Sequence, residues 1–207
     1  MQTLYIHPDN PQERLINQAV RLLRDDALII LPTDLGYVFG AMISSRQALD
    51  KLKKIRQLDD KHHFTLLCRD LSQVAGFATV NNEQFRHLKA HTPAPITFIL
   101  SASKDTPKKL AHPKKKTIGV RISNTPIIHA LLDTLAEPLL ISSLILPDVG
   151  VLYEPYHIQE TLDNVVDGFI DVGTLIDGMT SVIDLTGDNP ICLRAGVMDT
   201  SDWAEPT

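Results

Sequence analysis

Short apolar runs alternate along this chain with stretches in which apolar residues recur every three or four positions. Residues 28–31 are unbroken Leu-Ile-Ile-Leu, short enough for a buried strand. Pro32 cannot donate to a ladder and stops it. A turn at Gly36 leads into a second strand over 37–40. Further strand-length runs lie at 4–6 (an edge strand), 64–68, 96–100, 117–122, 139–142, 169–172, 182–185 and 191–193. Helical spacing predicts an amphipathic helix over 11–25, with Leu15, Ile16, Ala19, Val20, Leu22 and Leu23 inward. Asn10 is its expected N-cap, with Pro11 at the first helical position and Glu13 at the third. Ser45 caps a second helix with Ala48, Leu49, Leu52 and Ile55 on its inner face. A short helix covers 71–78. Another starts at Asn81 or Asn82, buries Phe85 and Leu88 and ends before Pro93. Thr125-Pro126 opens a helix carrying Ile127, Ile128, Leu131, Leu132 and Leu135, and a weak helix covers 157–164. Residues 147–155 read as loop, and the acidic tail after Val197 as loose.

Strands alternate with helices for most of the length, and the later strands come without long helices between them. This predicts one three-layer α/β domain over 1–207 with a twisted, mixed sheet. The composition, 43% hydrophobic and 22% charged over 207 residues, is that of an ordinary globular protein with a sizeable core. A net charge of −5 argues against attachment to nucleic acid by bulk charge. Residues 101–116 depart from that average: with six lysines, they read as a surface loop, either solvated or in contact with RNA. Cys68 and Cys192 sit among apolar residues and read as buried thiols, consistent with a reducing cytosol. The N-terminus lacks a basic region followed by a long apolar stretch. The apolar run 139–146, broken by Ser142 and Ser143, is far short of a membrane span. The expected location is cytoplasmic, with no membrane partner.

Several motifs are missing: the P-loop, the dinucleotide glycine fingerprint, H-E-x-x-H, C-x-x-C and the G-x-S-x-G elbow. The adjacent His62-His63 would point apart and do not suggest a metal pair, so no metal ligands are assigned. The 28–40 stretch places Thr33 and Asp34 just past a strand end beside glycine. That is a common setting for a small-molecule site in open α/β sheets; on local chemistry the more ordinary reading is a hairpin whose polar groups serve the turn. The second helix ends Lys53-Lys54-Ile55-Arg56. These cations either complement the helix dipole or clamp a phosphate or carboxylate. Arg121 and Arg194 each close an apolar strand. With Lys54 and Arg56 they would converge on one anionic ligand, or stand as independent surface charges.

Six segments, "PTDLGY", "KIR", "KTIGVR", "ISSLILP", "TSVIDLTG" and "LRAG", occur in the order and at the spacings of the YrdC/YciO family. The resemblance covers about 12–197. "HPDNPQERLINQAV", "RQLDDKHHFTLLCRDLS" and "TPAPITFIL" look most like its YciO branch. The resemblance implies a twisted α/β fold with a large, concave, positively lined cavity. It also implies threonylcarbamoyl-adenylate synthesis: ATP (with Mg2+), L-threonine and bicarbonate give threonylcarbamoyl-AMP and pyrophosphate, the first step toward threonylcarbamoyladenosine in tRNA. Some members are linked to double-stranded RNA or tRNA. Carried onto this chain, Lys54 and Arg56 would hold the ATP phosphates as catalytic cations, and Thr117 and Arg194 would contact the nucleotide. Arg121 would pair with the threonine carboxylate, and Thr33, Ser143 and Thr180 would line the substrate.

Two positions depart from the family pattern. Leu35 stands where a second threonine contacts the amino acid, and Ile145 stands where S-x-N has asparagine. If those bonds discriminate in the transition state, each loss costs about 1–3 kcal/mol, roughly tenfold or more in rate. Such a site either makes the adenylate slowly, takes another acceptor, or binds nucleotide or RNA without this reaction.

Overall fold

The computed structural model of the chain describes residues 1–59, 62 and 64–204. In chain order the elements are β1 (Gln2–Tyr5), α1 (Glu13–Arg24), β2 (Ile29–Pro32), β3 (Tyr37–Met42), α2 (Arg46–Arg56), β4 (Thr65–Leu67), α3 (Leu71–Phe77), β5 (Ala78–Thr79), α4 (Asn82–His91) and β6 (Ile96–Ala102). There follow β7 (Thr117–Arg121), α5 (Pro126–Leu135), β8 (Leu139–Ser143), β9 (Ile145–Leu146), β10 (Gly150–Val151), α6 (Pro155–Leu162), β11 (Gly168–Asp171), β12 (Ser181–Asp184) and β13 (Ile191–Arg194). The fold is mixed α/β with a large mixed sheet, the class that the alternating pattern implies. By its contacts the chain divides into two compact units, Met1–Asp59 with Asn124–Asp177, and Asp60–Ser123 with Gly178–Thr207.

In the first unit the strands run β1-β11-β2-β3-β8. The pairs β1–β11 and β11–β2 are parallel, while β2–β3 and β3–β8 are antiparallel. Every residue of β2 and β3 is buried, which is why they read as continuous apolar runs rather than as alternation. All five apolar residues expected on α5 are buried, and α5 lies against α1. At about 1.5–3 kcal/mol for each fully buried large side chain, that face alone is a large share of the unit's cohesion. Ser45 caps α2 as expected, its hydroxyl accepting from Ala48 N at 3.1 Å, and Gln57 ends it in the left-handed region.

In the second unit the order is β4-β7-β6-β12-β13, with β5 beside β6. The pairs β4–β7 and β6–β12 are parallel, and β6–β7 and β12–β13 antiparallel. Parallel pairing of β12 with β6 places Ser181 beside Ile96. It brings the chain back beside β6 after a long excursion.

Several expectations need correction. Helix α1 starts at Glu13 after Gln12, which makes no side-chain cap bond. The His7 ring accepts the amides of Asp9 and Asn10 at 3.2 Å each, so residues 7–12 form a turn before the helix begins. Phe85 is not buried; on α4 only Leu88 is. The 147–155 loop is in part the hairpin β9–β10, whose two-residue strands are too short to leave a periodicity. The 101–116 segment is not simply a surface loop, since Thr106, Leu110 and His112 are buried in it. The tail is not loose through Ala204. Cys192 N donates to Ala204 O at 2.8 Å, and Trp203 is buried with its ring 4.7 Å from that of His91 and 6.4 Å from that of Phe98. Aromatic burial of that size outweighs the acidic composition around it. Both cysteines are buried and free; burial and the charge of Asp70 push the Cys68 thiol up to about 12. His63 lies outside the described residues. No described helix is long and apolar enough to cross a membrane.

Candidate functional site

In the first unit, chemistry collects around the end of α2 and the β2–β3 turn. Arg56 is the last residue of α2 and is half-buried. Its Nε donates to the Ile145 carbonyl at 3.1 Å, and Nη1 donates to Ser142 Oγ in a short bond. Among the described residues no carboxylate pairs with it, and burial lowers its pKa. Lys54 is exposed, and its side chain makes no hydrogen bond or ion pair among the described residues. Lys51, one turn earlier, is paired with Asp167 at 2.7 Å. The helix thus pairs Lys51 with Asp167 and Arg46 with Asp50 and leaves the two cations named by sequence facing neutral groups or solvent among the described residues.

Thr33 is buried, and its hydroxyl serves its own turn. It lies 2.9 Å from both the Leu35 and Gly36 carbonyls, as donor, and accepts from Leu35 N at 3.2 Å. Gly36, at φ +65°, makes that turn possible, since a side chain there would be strained. Leu35 is 7% exposed. Ser143 is exposed, whereas its neighbour Ser142 is buried.

In the second unit, Thr117, Arg121, Thr180 and Arg194 sit on or beside adjoining strands. Arg121, the last residue of β7, is 3% exposed. Arg194, the last residue of β13, grips one residue twice: Nε donates to the Thr180 carbonyl at 2.9 Å and Nη2 to Thr180 Oγ1 at 2.8 Å. Burial lowers the Arg194 pKa, and the charge of Arg121 lowers it further. No carboxylate pairs with Arg194 among the described residues. Thr117 Oγ1 is buried without a hydrogen-bond partner. The four cations therefore fall into two pairs, Lys54 with Arg56 in one unit and Arg121 with Arg194 in the other.

Three residues that sequence reasoning passed over shape these groups. Ser142 supplies the hydroxyl that Arg56 takes. Gly196 lets the chain after β13 pass against residues 179–181. A Cβ there would lie 2.2 Å from the Met179 carbonyl and 2.5 Å from Ser181 N, while Gly196 N donates to Ser181 Oγ at 3.1 Å and Val197 N to Met179 O at 3.0 Å. Tyr37 holds residues 172–173: its hydroxyl donates to Gly173 O at 2.6 Å and accepts from Val172 N at 3.2 Å. Burial is the main reason its pKa is raised. The available signals were faint: a serine pair inside an apolar run, a lone glycine after a strand, and one hydroxyl-bearing ring in an apolar strand. Among the described residues, no three His, Cys, Asp or Glu side chains gather as metal ligands.

A family model described as Telomere recombination (Sua5_yciO_yrdC) matches residues 21–196. The chain is 47% identical over 203 residues to the Uncharacterized protein YciO of Escherichia coli (strain K12), covering 98% of each. The crystal structure of E. coli YciO superimposes with a TM-score of 0.93, at 46% identity and over 98% of each chain. The Threonylcarbamoyl-AMP synthase of Bacillus subtilis (strain 168) is 25% identical over 183 residues, 87% of this chain and 53% of that protein. P. abyssi Sua5 complexed with L-threonine shares the fold, with a TM-score of 0.90 at 20% identity over 100% of this chain and 63% of that one. The chain belongs to the Sua5/YciO/YrdC family.

Proposed function

We propose that this protein uses ATP to make a carbamoyl adenylate of the threonylcarbamoyl-AMP type, as a nucleotidyltransferase-like step toward tRNA modification. The observation that carries this reading is the way Arg56 and Arg194 are held. Each guanidinium is half out of water and, among the described residues, bonds only to neutral oxygens. A desolvated cation without a carboxylate is left with charge for an anionic ligand. The likeness to a Threonylcarbamoyl-AMP synthase and to a Sua5 complexed with L-threonine supports the choice of substrates.

On this reading the threonine amine attacks bicarbonate and water leaves, giving the carbamate, whose carboxylate oxygen attacks the α-phosphorus of ATP as the bond to pyrophosphate breaks. Lys54 and Arg56 hold the phosphates and offset the charge that develops on the leaving pyrophosphate. Thr117 and Arg194 contact the nucleotide, Arg121 the threonine carboxylate, and Thr33, Ser143 and Thr180 the amino acid. Magnesium arrives with ATP as part of the substrate. The Arg56 anchor does not need the asparagine that Ile145 replaces, because it uses the backbone carbonyl at that position.

A second reading, nucleotide binding without this reaction, is favoured by the β2–β3 turn. The Leu35 side chain is buried, and the Thr33 hydroxyl already has partners within the turn.

Calorimetric titration with Mg-ATP tests the first premise of both. Arg56→Ala and Arg194→Ala are each expected to weaken binding at least about tenfold, roughly 1.4 kcal/mol, while each variant still folds with a single cooperative thermal transition. Unchanged affinity in both variants would overturn the assignment.

A further inference from the structure

The segment between β6 and β7 carries Lys104, Lys108, Lys109, Lys114, Lys115 and Lys116 against one acidic residue, Asp105, in a chain of net charge −5. Self-repulsion alone would leave such a run extended and solvated. Instead it closes on itself. Leu110 is buried, and Thr106 Oγ1 donates to the Phe77 carbonyl in a short bond. Ser103 Oγ donates to Gly76 O at 3.1 Å, so the end of α3 anchors the segment. The buried His112 ring accepts from Lys115 N at 3.0 Å and Lys114 N at 3.3 Å. Lys116 N returns to His112 O at 2.9 Å, and Ala102 N to Lys116 O at 2.8 Å.

The folded segment borders a half-open pocket of about 350 Å³ lined by Ser103, Lys104, Thr106, Lys108, Ala111 and Lys116, with no acidic side chain in its lining. Lys104 and Lys108 make no hydrogen bond or ion pair among the described residues. Lys116 Nζ donates to Pro113 O at 2.6 Å. Three lysines thus line one pocket with no acidic residue among its walls, and a bound anion would relieve the repulsion between their charges. Lysine binds phosphate as a point charge without demanding a fixed plane. The volume is at the small end of ligand pockets, which span roughly 300–1,000 Å³, and an alanine wall leaves room for an apolar part. Duplex RNA, by contrast, is met across a broad minor-groove surface, which a pocket of this size does not offer.

We propose that this pocket is a second anion site, taking a small phosphate ester of mononucleotide or sugar-phosphate size. It lies wholly within the second unit, uses none of the residues assigned above, and does not depend on the proposed reaction. The test is amide-resolved NMR of the full chain titrated with AMP, then with inorganic phosphate. AMP is expected to shift the amides of Ser103 and Ala111, saturably. Lys104→Ala/Lys108→Ala, both at exposed positions, should weaken that response at least about tenfold. It should leave any response at Ser142, Ile145 or Thr180 unchanged. Lys104→Arg/Lys108→Arg should retain the loop response. Inorganic phosphate reproducing the AMP affinity would overturn the ester and leave a bare phosphate site. AMP shifts confined to Ser142, Ile145 or Thr180, a loop response indifferent to the lysine variants, or a response to an RNA duplex alone would overturn the proposal.

Discussion

Arg56 and Arg194 face the same problem and are held by two different devices. Each is half-buried, each closes a secondary-structure element, and each donates to one backbone carbonyl and one side-chain hydroxyl. Arg56 reaches across the fold: its hydroxyl comes from Ser142 on β8 and its carbonyl from Ile145 on β9, 86 and 89 residues away. Arg194 takes both oxygens from Thr180 alone, and Thr180 is held in place by the close passage of Gly196. The first device depends on a hydroxyl. The second depends on the absence of a side chain. Arg194 also has Arg121 for a neighbour, whose charge lowers its pKa, whereas burial alone accounts for the shift on Arg56. Arg194 therefore feels the charge of a neighbouring guanidinium, which Arg56 does not.

The largest test of this contrast is Gly196→Val. With a Cβ 2.2 Å from Met179 O, the backbone of 179–181 must move. The expected loss is about 2–3 kcal/mol by urea unfolding, together with the Arg194–Thr180 contact; wild-type stability would mean that the close passage is dispensable. Ser142→Ala should cost about 1–2 kcal/mol, because it removes the hydroxyl acceptor of a half-buried cation. A double-mutant cycle with Arg56→Gln should recover most of that as coupling, and additive losses would break the link. Thr180→Ala should cost less, about 0.5–1 kcal/mol, since Thr180 is less buried than Ser142; Thr180→Ser should restore it.

Asp70 is a reference outside both cation sets. It caps α3 by accepting from Gln73 N at 2.9 Å, and that bond is the main reason its pKa lies below the usual 3.8. Its contribution is therefore complete above that ordinary value and is lost as pH falls through the lowered one. Exposure and salt reduce it, so Asp70→Ala should lose about 0.5 kcal/mol at neutral pH. The difference from wild type should close in acid. A gap that persists below the lowered pKa would mean that the cap acts through something other than charge.

Most of the elements were legible because their apolar runs are unambiguous. Residues 28–31 and 96–100 permit little but buried strand, and five apolar positions after Thr125-Pro126 define α5. What escaped was set by contacts distant in sequence or by very short pairing. The β9–β10 hairpin has two residues a side, Trp203 finds His91 and Phe98 only in the folded chain, and the lysine-rich segment closes on the end of α3. The cations were legible from their positions at element ends. Their neutral partners were not, because in a strand as buried as β8 the alternation that would separate Ser142 from Ser143 is hidden. Thr33 shows the same limit: its place beside a strand end suited a ligand as well as the more ordinary turn, and in the structure its hydroxyl meets turn partners.

The most direct measurement of the central claim is pyrophosphate release by the purified protein with ATP and magnesium, with and without L-threonine and bicarbonate. The expected result is release that requires both additions and falls at least about tenfold in Arg56→Ala, which would show that Leu35 and Ile145 are tolerated. ATP binding without release under any combination would contradict the synthase reading and leave a nucleotide-binding protein that lacks this reaction.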